Sequence, residues 1–340
     1  MDVDQLHQVA QALVPLGKGI LAADESTGTI KKRFASIALE STADSRRDYR
    51  EMLFTTNEME QFISGVILFD ETLRQNARDG TPLRRILESR GVIPGIKVDS
   101  GAKDLACFPG EKVTEGLDGL RQRLDEYREL GAKFAKWRAV INIGPGIPSG
   151  FCLLANAHAL ARYAALCQEA GIVPIVEPEV MMTGDHTIER CEAVTITTLS
   201  LVFSQLIEHS VALEGILLKP NMVLPGKDCP QQATPEEVAA ATVRCFRRVV
   251  PAAVPGIVFL SGGQSPEEAT ANLNAMNAMG DHPWELSFSY GRALQQPALN
   301  AWKGDSANVP AAQQAFFQRA QLNSYARYGK YQPQMEPASA

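Results

Sequence analysis

Residues 153–178 read "LLANAHALARYAALCQEAGIVPIVEP". In the first part Leu153, Ala157, Leu160, Ala161 and Ala164 fall on one apolar stripe at helical spacing, and Gly171 is placed to end the helix. Ile172–Val176 then forms a short apolar run, as expected of a strand covered on both faces, and it ends on Glu177. Helix followed by doubly buried strand is the repeating half of a parallel α/β fold. Similar runs recur along the chain: "GKGILAAD", "ISGVILFD", "IPGIKVD", "AKFAKWRAVI", "EGILLKP", "GIVFLSGG" and "ELSFSYG". Segments of helical period separate most of them. One, "TPEEVAAATVRCFRRVV", offers Thr234 as N-cap, Pro235 in the first turn, and Glu236 and Glu237 near the positive end of the helix. Eight such strands predict a single-domain (β/α)8 TIM barrel over residues 1–330, with residues 331–340 a flexible, irregular C-terminal tail. A doubly wound sheet is the alternative; no GxGxxG follows the first strand, which weakens its dinucleotide-binding form.

Composition narrows the function classes. Of 340 residues 45% are hydrophobic, ample for a large core, and the net charge of −6 is mild and interspersed. No nucleic-acid face is expected. No apolar run approaches the roughly 20 residues of a membrane span, and the acidic start "MDVDQLHQVA" lacks a signal-peptide core. Six scattered cysteines without a CxxC pair read as reduced thiols, so a cytoplasmic location is expected.

In a barrel, chemistry gathers at the C-terminal ends of strands. Here those ends carry Asp24, Lys97, Lys136 with Arg138, Glu177 with Glu179, Lys219, the triplet Ser261-Gly262-Gly263, and Arg292. Residues two apart share a strand face, so Lys136 and Arg138 point together, as do Glu177 and Glu179, and Lys97 and Asp99. For Glu179 and Asp99 an ion-pair role is the simpler reading. Lys219 ends the apolar run of "GILLKPNMVLPG" (215–226). Burial there, with Lys136 nearby, would favour its neutral amine, which can attack a carbonyl to form a Schiff base. Glu177 could remove water in that step, and Asp24 could act as base on the departing half. The "SGG" triplet, with Arg292, offers a phosphate site; "DESTGTIKKRF" (24–34) offers a second anion site through Ser26, Thr29, Lys32 and Arg33. Two phosphate sites flanking a Schiff-base lysine suit a linear sugar bisphosphate.

The strings "GKGILAADESTGTIKKRF", "GIKVD", "FAKWRAVI", "IVPIVEPEV", "LEGILLKPNM", "FLSGGQSPEEA" and "FSYGRALQ" resemble class I fructose-1,6-bisphosphate aldolase, in order from about Gly17 to about Tyr331. The resemblance implies the same barrel, usually a homotetramer. It implies Lys219 as the Schiff-base lysine, Glu177 as its acid/base, Asp24 in carbon–carbon cleavage with help from Lys136, and Arg138 and Glu179 in the charge network. It implies the C1 phosphate at Ser261, Gly262, Gly263 and Arg292, with Tyr290 and Gly291 from the same motif, and lets Arg292 shift between the two ends. The C6 side falls to Ser26, Lys32, Arg33 and Lys97. The family position near Thr29 is often serine; here the hydroxyl is kept. Many eukaryotic members end on a tyrosine that moves a proton, whereas the last tyrosine here is Tyr331, so tail-assisted proton transfer is not expected.

No cofactor or metal is expected: His7, His158, His186, His209 and His282 are scattered, without the ligand spacing a metal-dependent aldolase needs. A non-catalytic sugar-phosphate or protein-binding barrel is the other alternative, but such a chain would be expected to lose Lys219, Glu177 or Asp24. Sedoheptulose 1,7-bisphosphate and fructose 1-phosphate stay open as substrates of the same chemistry.

Overall fold

The computed structural model describes residues 2–337. Eight parallel strands close into a barrel: β1 (Gly19–Ala23), β2 (Ile63–Leu68), β3 (Ile93–Lys97), β4 (Phe134–Ile141), β5 (Val173–Val180), β6 (Leu217–Leu218), β7 (Gly256–Phe259) and β8 (Glu285–Tyr290). Each pairs with its sequence neighbours, and β8 returns to β1. The doubly wound alternative is thereby excluded. A two-stranded antiparallel arm, Ala102–Asp104 with Lys112–Thr114, projects between β3 and β4.

Local sequence explains the helices that wrap the barrel. Helix Gly150–Glu169 buries the predicted stripe of Leu153, Ala157, Leu160, Ala161 and Ala164, and Gly171 follows it in the left-handed region (φ +73°). Thr234 caps helix Pro235–Val249 in a reciprocal capping box with Glu237. Helix Ile188–Glu208 is, contrary to the sequence reading, long and apolar enough by length and composition to span a membrane; half of its apolar window is buried inside the molecule. It packs between helices Gly150–Glu169 and Pro235–Val249, so its apolar face serves the core.

Two layers of core result. One lies between strands and helices, where Trp137 stacks on Tyr163 with ring centroids 5.6 Å apart. The other fills the barrel with Ile20, Ile67, Phe134, Ile175, Leu217 and Val258 and continues into Leu6, Ala10, Leu13 and Val14 of the N-terminal segment. That segment plugs the N-terminal mouth of the barrel. Gly65 and Gly256 make the fit possible, because an added β-carbon would meet Leu13 Cδ2 at 2.7 Å and Val14 Cγ1 at 2.9 Å. With one mouth closed, polar side chains at the other strand ends face the remaining opening.

Two residues hold the C-terminal segment 331–337 to the fold, Tyr331 and Glu336, while Gln332–Met335 and Pro337 are exposed; the rest of the expected tail, 338–340, lies outside the described residues. Tyr331 is buried, takes Asn274 Oδ1 with its N–H (2.8 Å) and donates its hydroxyl to Glu336 (2.7 Å). Burial, reinforced by Glu336, pushes the Tyr331 phenol up to about 12. Glu336 also pairs with Arg319 at 2.8 Å, whose side chain is 4% exposed. A sequence of Pro, Gln and Met gives no periodic signal, so the docking rests on this one ion pair and the tyrosine. Glu336→Gln is therefore expected to lower stability by about 1–3 kcal/mol, because the buried guanidinium keeps its charge and loses its main partner. Urea unfolding measures this, and kcat should stay within about tenfold, a barrier change below ~1.4 kcal/mol.

Candidate active site

The open mouth holds a cavity of about 410 Å³. Four strands that are distant in sequence contribute a chain of charges across it. Asp24, after β1, lies 2.7 Å from Lys136 Nζ on β4. Lys136 Nζ lies 3.3 Å from Glu177 Oε2 on β5, and Glu177 Oε1 lies 3.4 Å from Lys219 Nζ after β6. Lys136, Glu177 and Lys219 are each under 5% exposed. Strand alternation places them: Lys136, Arg138 and Val140 line the cavity while Trp137 faces the helices, and Lys136 pairs in register with Lys97 and Ile175.

The two buried lysines differ electrostatically. Burial depresses the Lys219 pKa below the ordinary lysine value, and Lys136 pushes the same way, while the Glu177 carboxylate opposes them. Burial also penalises Lys136, but Asp24 and Glu177 on either side outweigh it and hold that ammonium above the ordinary value. Burial opposes ionisation of Asp24 and Glu177, yet the neighbouring ammoniums keep both below their usual carboxylate range. The site thus has one lysine biased toward the free amine and one fixed as a cation.

Behind Asp24 the buried Arg50 donates to the carbonyls of Ala23 (3.3 Å) and Glu25 (2.9 Å), the residues on either side of it. Glu25 accepts from Arg33 (2.5 Å) and Gln295 (2.8 Å). Arg138 pairs with Glu179, and Lys97 with Asp99 at 3.4 Å. At the opposite rim Ser261 and Gly262 line the cavity, and Arg292 donates to Gly262 O at 3.2 Å. Gln264 braces this loop by donating to Ser261 O (3.0 Å), and Asn272 holds Gln264 (2.7 Å).

Of the residues singled out from sequence, Asp24, Ser26, Thr29, Arg33, Lys97, Lys136, Arg138, Glu177, Glu179, Lys219, Ser261, Gly262, Gly291 and Arg292 all line this one cavity. Three do not. Lys32 is exposed on the helix Thr27–Ala35. Gly263 lies just behind Gly262 and donates its N–H to Met182 Sδ (3.0 Å). Tyr290 is fully buried, with its hydroxyl donated to Ala269 O (2.8 Å), so it packs against the helix Pro266–Ala278 instead of facing a ligand. Glu25, Asp99 and Ser289 add further polar groups to the lining. Ser289 is a small residue within an apolar strand, which the motifs do not single out. Its buried hydroxyl has no hydrogen-bond partner among the described residues, and the alternation of Ser287 and Ser289 against Phe288 and Tyr290 was the signal for its direction.

Residues 5–340 match the family model described as fructose-bisphosphate aldolase class-I. A probable fructose-bisphosphate aldolase class 1 of Xanthomonas campestris pv. campestris is 59% identical over 332 residues, 97% of this chain and 99% of the relative. Fructose-bisphosphate aldolase 1 of Toxoplasma gondii is 54% identical over 329 residues, 96% of this chain and 91% of the relative. A solved structure of fructose-bisphosphate aldolase from Plasmodium falciparum, in a ternary complex with TRAP and a small-molecule inhibitor, superposes with a TM-score of 0.96. It is 53% identical and covers 97% of this chain and 96% of its own.

Proposed function

Since the chain belongs to the class I fructose-bisphosphate aldolase family, we propose that the four-residue charge chain Asp24–Lys136–Glu177–Lys219 carries the family's reaction. That reaction is the reversible aldol cleavage of fructose 1,6-bisphosphate to dihydroxyacetone phosphate and glyceraldehyde 3-phosphate, in glycolysis and gluconeogenesis. The Lys219–Glu177 contact of 3.4 Å carries the reading. Proton transfer across it leaves a neutral amine and a carboxylic acid. The amine adds to the C2 carbonyl, and the acid protonates the resulting hydroxyl, which leaves as water. The product is an iminium, the electron sink that cleavage requires. Asp24 then takes the C4 hydroxyl proton. The C3–C4 bond breaks, its electrons enter the iminium as an enamine, and the aldehyde departs. The proton held by Asp24 is returned to C3 through water, and hydrolysis of the iminium by water, with Glu177 taking the released proton, frees dihydroxyacetone phosphate and restores the amine. Lys136, hydrogen-bonded to Asp24 and facing Glu177, stays cationic and steadies both carboxylates as their charges change.

The lining holds Ser261, Gly262 and Arg292 from the β7 and β8 loops and Ser26, Thr29 and Arg33 from the segment after β1, two groups that support binding of the two phosphates. Arg292→Ala should raise KM for the bisphosphate by about tenfold, a loss of ~1.4 kcal/mol of binding. Unchanged kinetics would reduce "SGG" to a turn. In the same cleavage assay, kcat/KM for fructose 1,6-bisphosphate is expected to exceed that for fructose 1-phosphate and sedoheptulose 1,7-bisphosphate; a higher value for either would reassign the main substrate. A cytoplasmic location is supported by six free cysteines, five of them buried. A homotetramer is supported by the family pattern and by Phe151, Leu154 and Ile207, exposed on adjacent helices; light scattering tests it.

A further inference from the structure

The cations around the cavity are unequally committed. Lys97, Lys136, Arg138, Lys219 and Arg33 each have a carboxylate partner. Among the described residues Arg292 does not; its contact is the carbonyl of Gly262. Among the described residues Lys227 also has no ion-pair partner, and it is exposed. It lies in the loop that follows β6, eight residues beyond Lys219, yet it reaches the loop after β7. A β-carbon built on Gly263 would stand 2.7 Å from Lys227 Nζ, so glycine at 263 leaves the room that this ammonium occupies.

The backbone under Lys227 is fixed. Gly226 donates to His186 O (2.8 Å), Lys227 to Met182 O (2.8 Å) and Asp228 to Gly184 O (2.9 Å), which zips the β6 loop to the β5 loop. A β-carbon on Gly226 would collide with the carbonyl of Gly184, so the two loops meet this closely only with glycine there. The Gly263 N–H beneath the ammonium is spent on a thioether, Met182 Sδ, a weak acceptor that a phosphate oxygen outcompetes. Two unpaired cations, Arg292 and Lys227, therefore reach a single glycine loop that presents a weakly satisfied donor.

We propose that Lys227 is a further anchoring residue for the substrate phosphate at the β7 loop, acting with Arg292. This rests on the aldolase reading above, which places a phosphate at Ser261 and Gly262. It assigns to the β6 loop two tasks: Lys219 for the carbon chain and Lys227 for the anion at its end.

Lys227→Gln and Lys227→Arg test it. The glutamine variant is expected to raise KM for fructose 1,6-bisphosphate, the inhibition constant of inorganic phosphate and the half-saturating dihydroxyacetone phosphate in borohydride inactivation, each by about 5–10-fold, with kcat within about twofold. The arginine variant should restore all three. The difference from the parent should shrink at high ionic strength, since the group is exposed and the screening length falls to about 3 Å at 1 M salt. Unchanged KM and phosphate inhibition in the glutamine variant would overturn the proposal, as would a loss in kcat that arginine does not rescue. Failure of the parent protein to be labelled by dihydroxyacetone phosphate and borohydride would instead overturn the aldolase reading itself.

Discussion

Borohydride reduction in the presence of dihydroxyacetone phosphate is expected to leave a stable triose-phosphate adduct on Lys219, and Lys219→Arg to lose at least about 10⁴-fold in kcat, the scale of losing an essential nucleophile. The cause is specific to this side chain. Lys136 is equally buried, but its flanking carboxylates keep it charged, whereas burial at Lys219 weakens its hold on the proton. Trapping should consequently rise with pH along a limb that lies below the ~10.4 of a free lysine. Arginine at 219 keeps the positive charge but cannot supply a free amine near neutral pH. Peptide mapping that places the adduct on Lys136 or Lys97 would reverse the assignment.

The second large effect separates the carboxylates. Glu177→Gln should slow imine formation and hydrolysis by about 10²–10⁴-fold, the usual contribution of a general acid–base. Its contact with Lys219 is the route by which the amine sheds its proton. Asp24→Asn should leave imine formation largely intact and slow carbon–carbon cleavage over a similar range, about 10²–10⁴-fold. Asp24 contacts Lys136, and its ion pair is not with Lys219. Rapid-quench trapping distinguishes the two: the asparagine variant accumulates imine with intact bisphosphate, and the glutamine variant does not. Equal loss of imine in both would mean that the two carboxylates act as one unit.

Local pattern determined a good deal of this protein. The eight doubly buried strands, the cap at Thr234, the end of the helix before Gly171, and the facing of Lys136 and Arg138 away from Trp137 all follow from near-neighbour physics, in which period and capping operate over a few residues. Even the direction of Tyr290 is legible in the alternation of its strand: motif likeness sets it among the ligand contacts, and the alternation sets it in the core. The tertiary structure decided the rest. Barrel closure brings Asp24, just after β1, within 2.7 Å of Lys136 on β4, although the two strands are not neighbours in the sheet. Docking of residues 331–337 depends on the Arg319–Glu336 pair, and the approach of Lys227 to Gly263 depends on pairing between two loops. Such contacts are set by closure and by the burial of charge. These depend on how the whole chain shares its space, and no window of neighbouring residues carries that information.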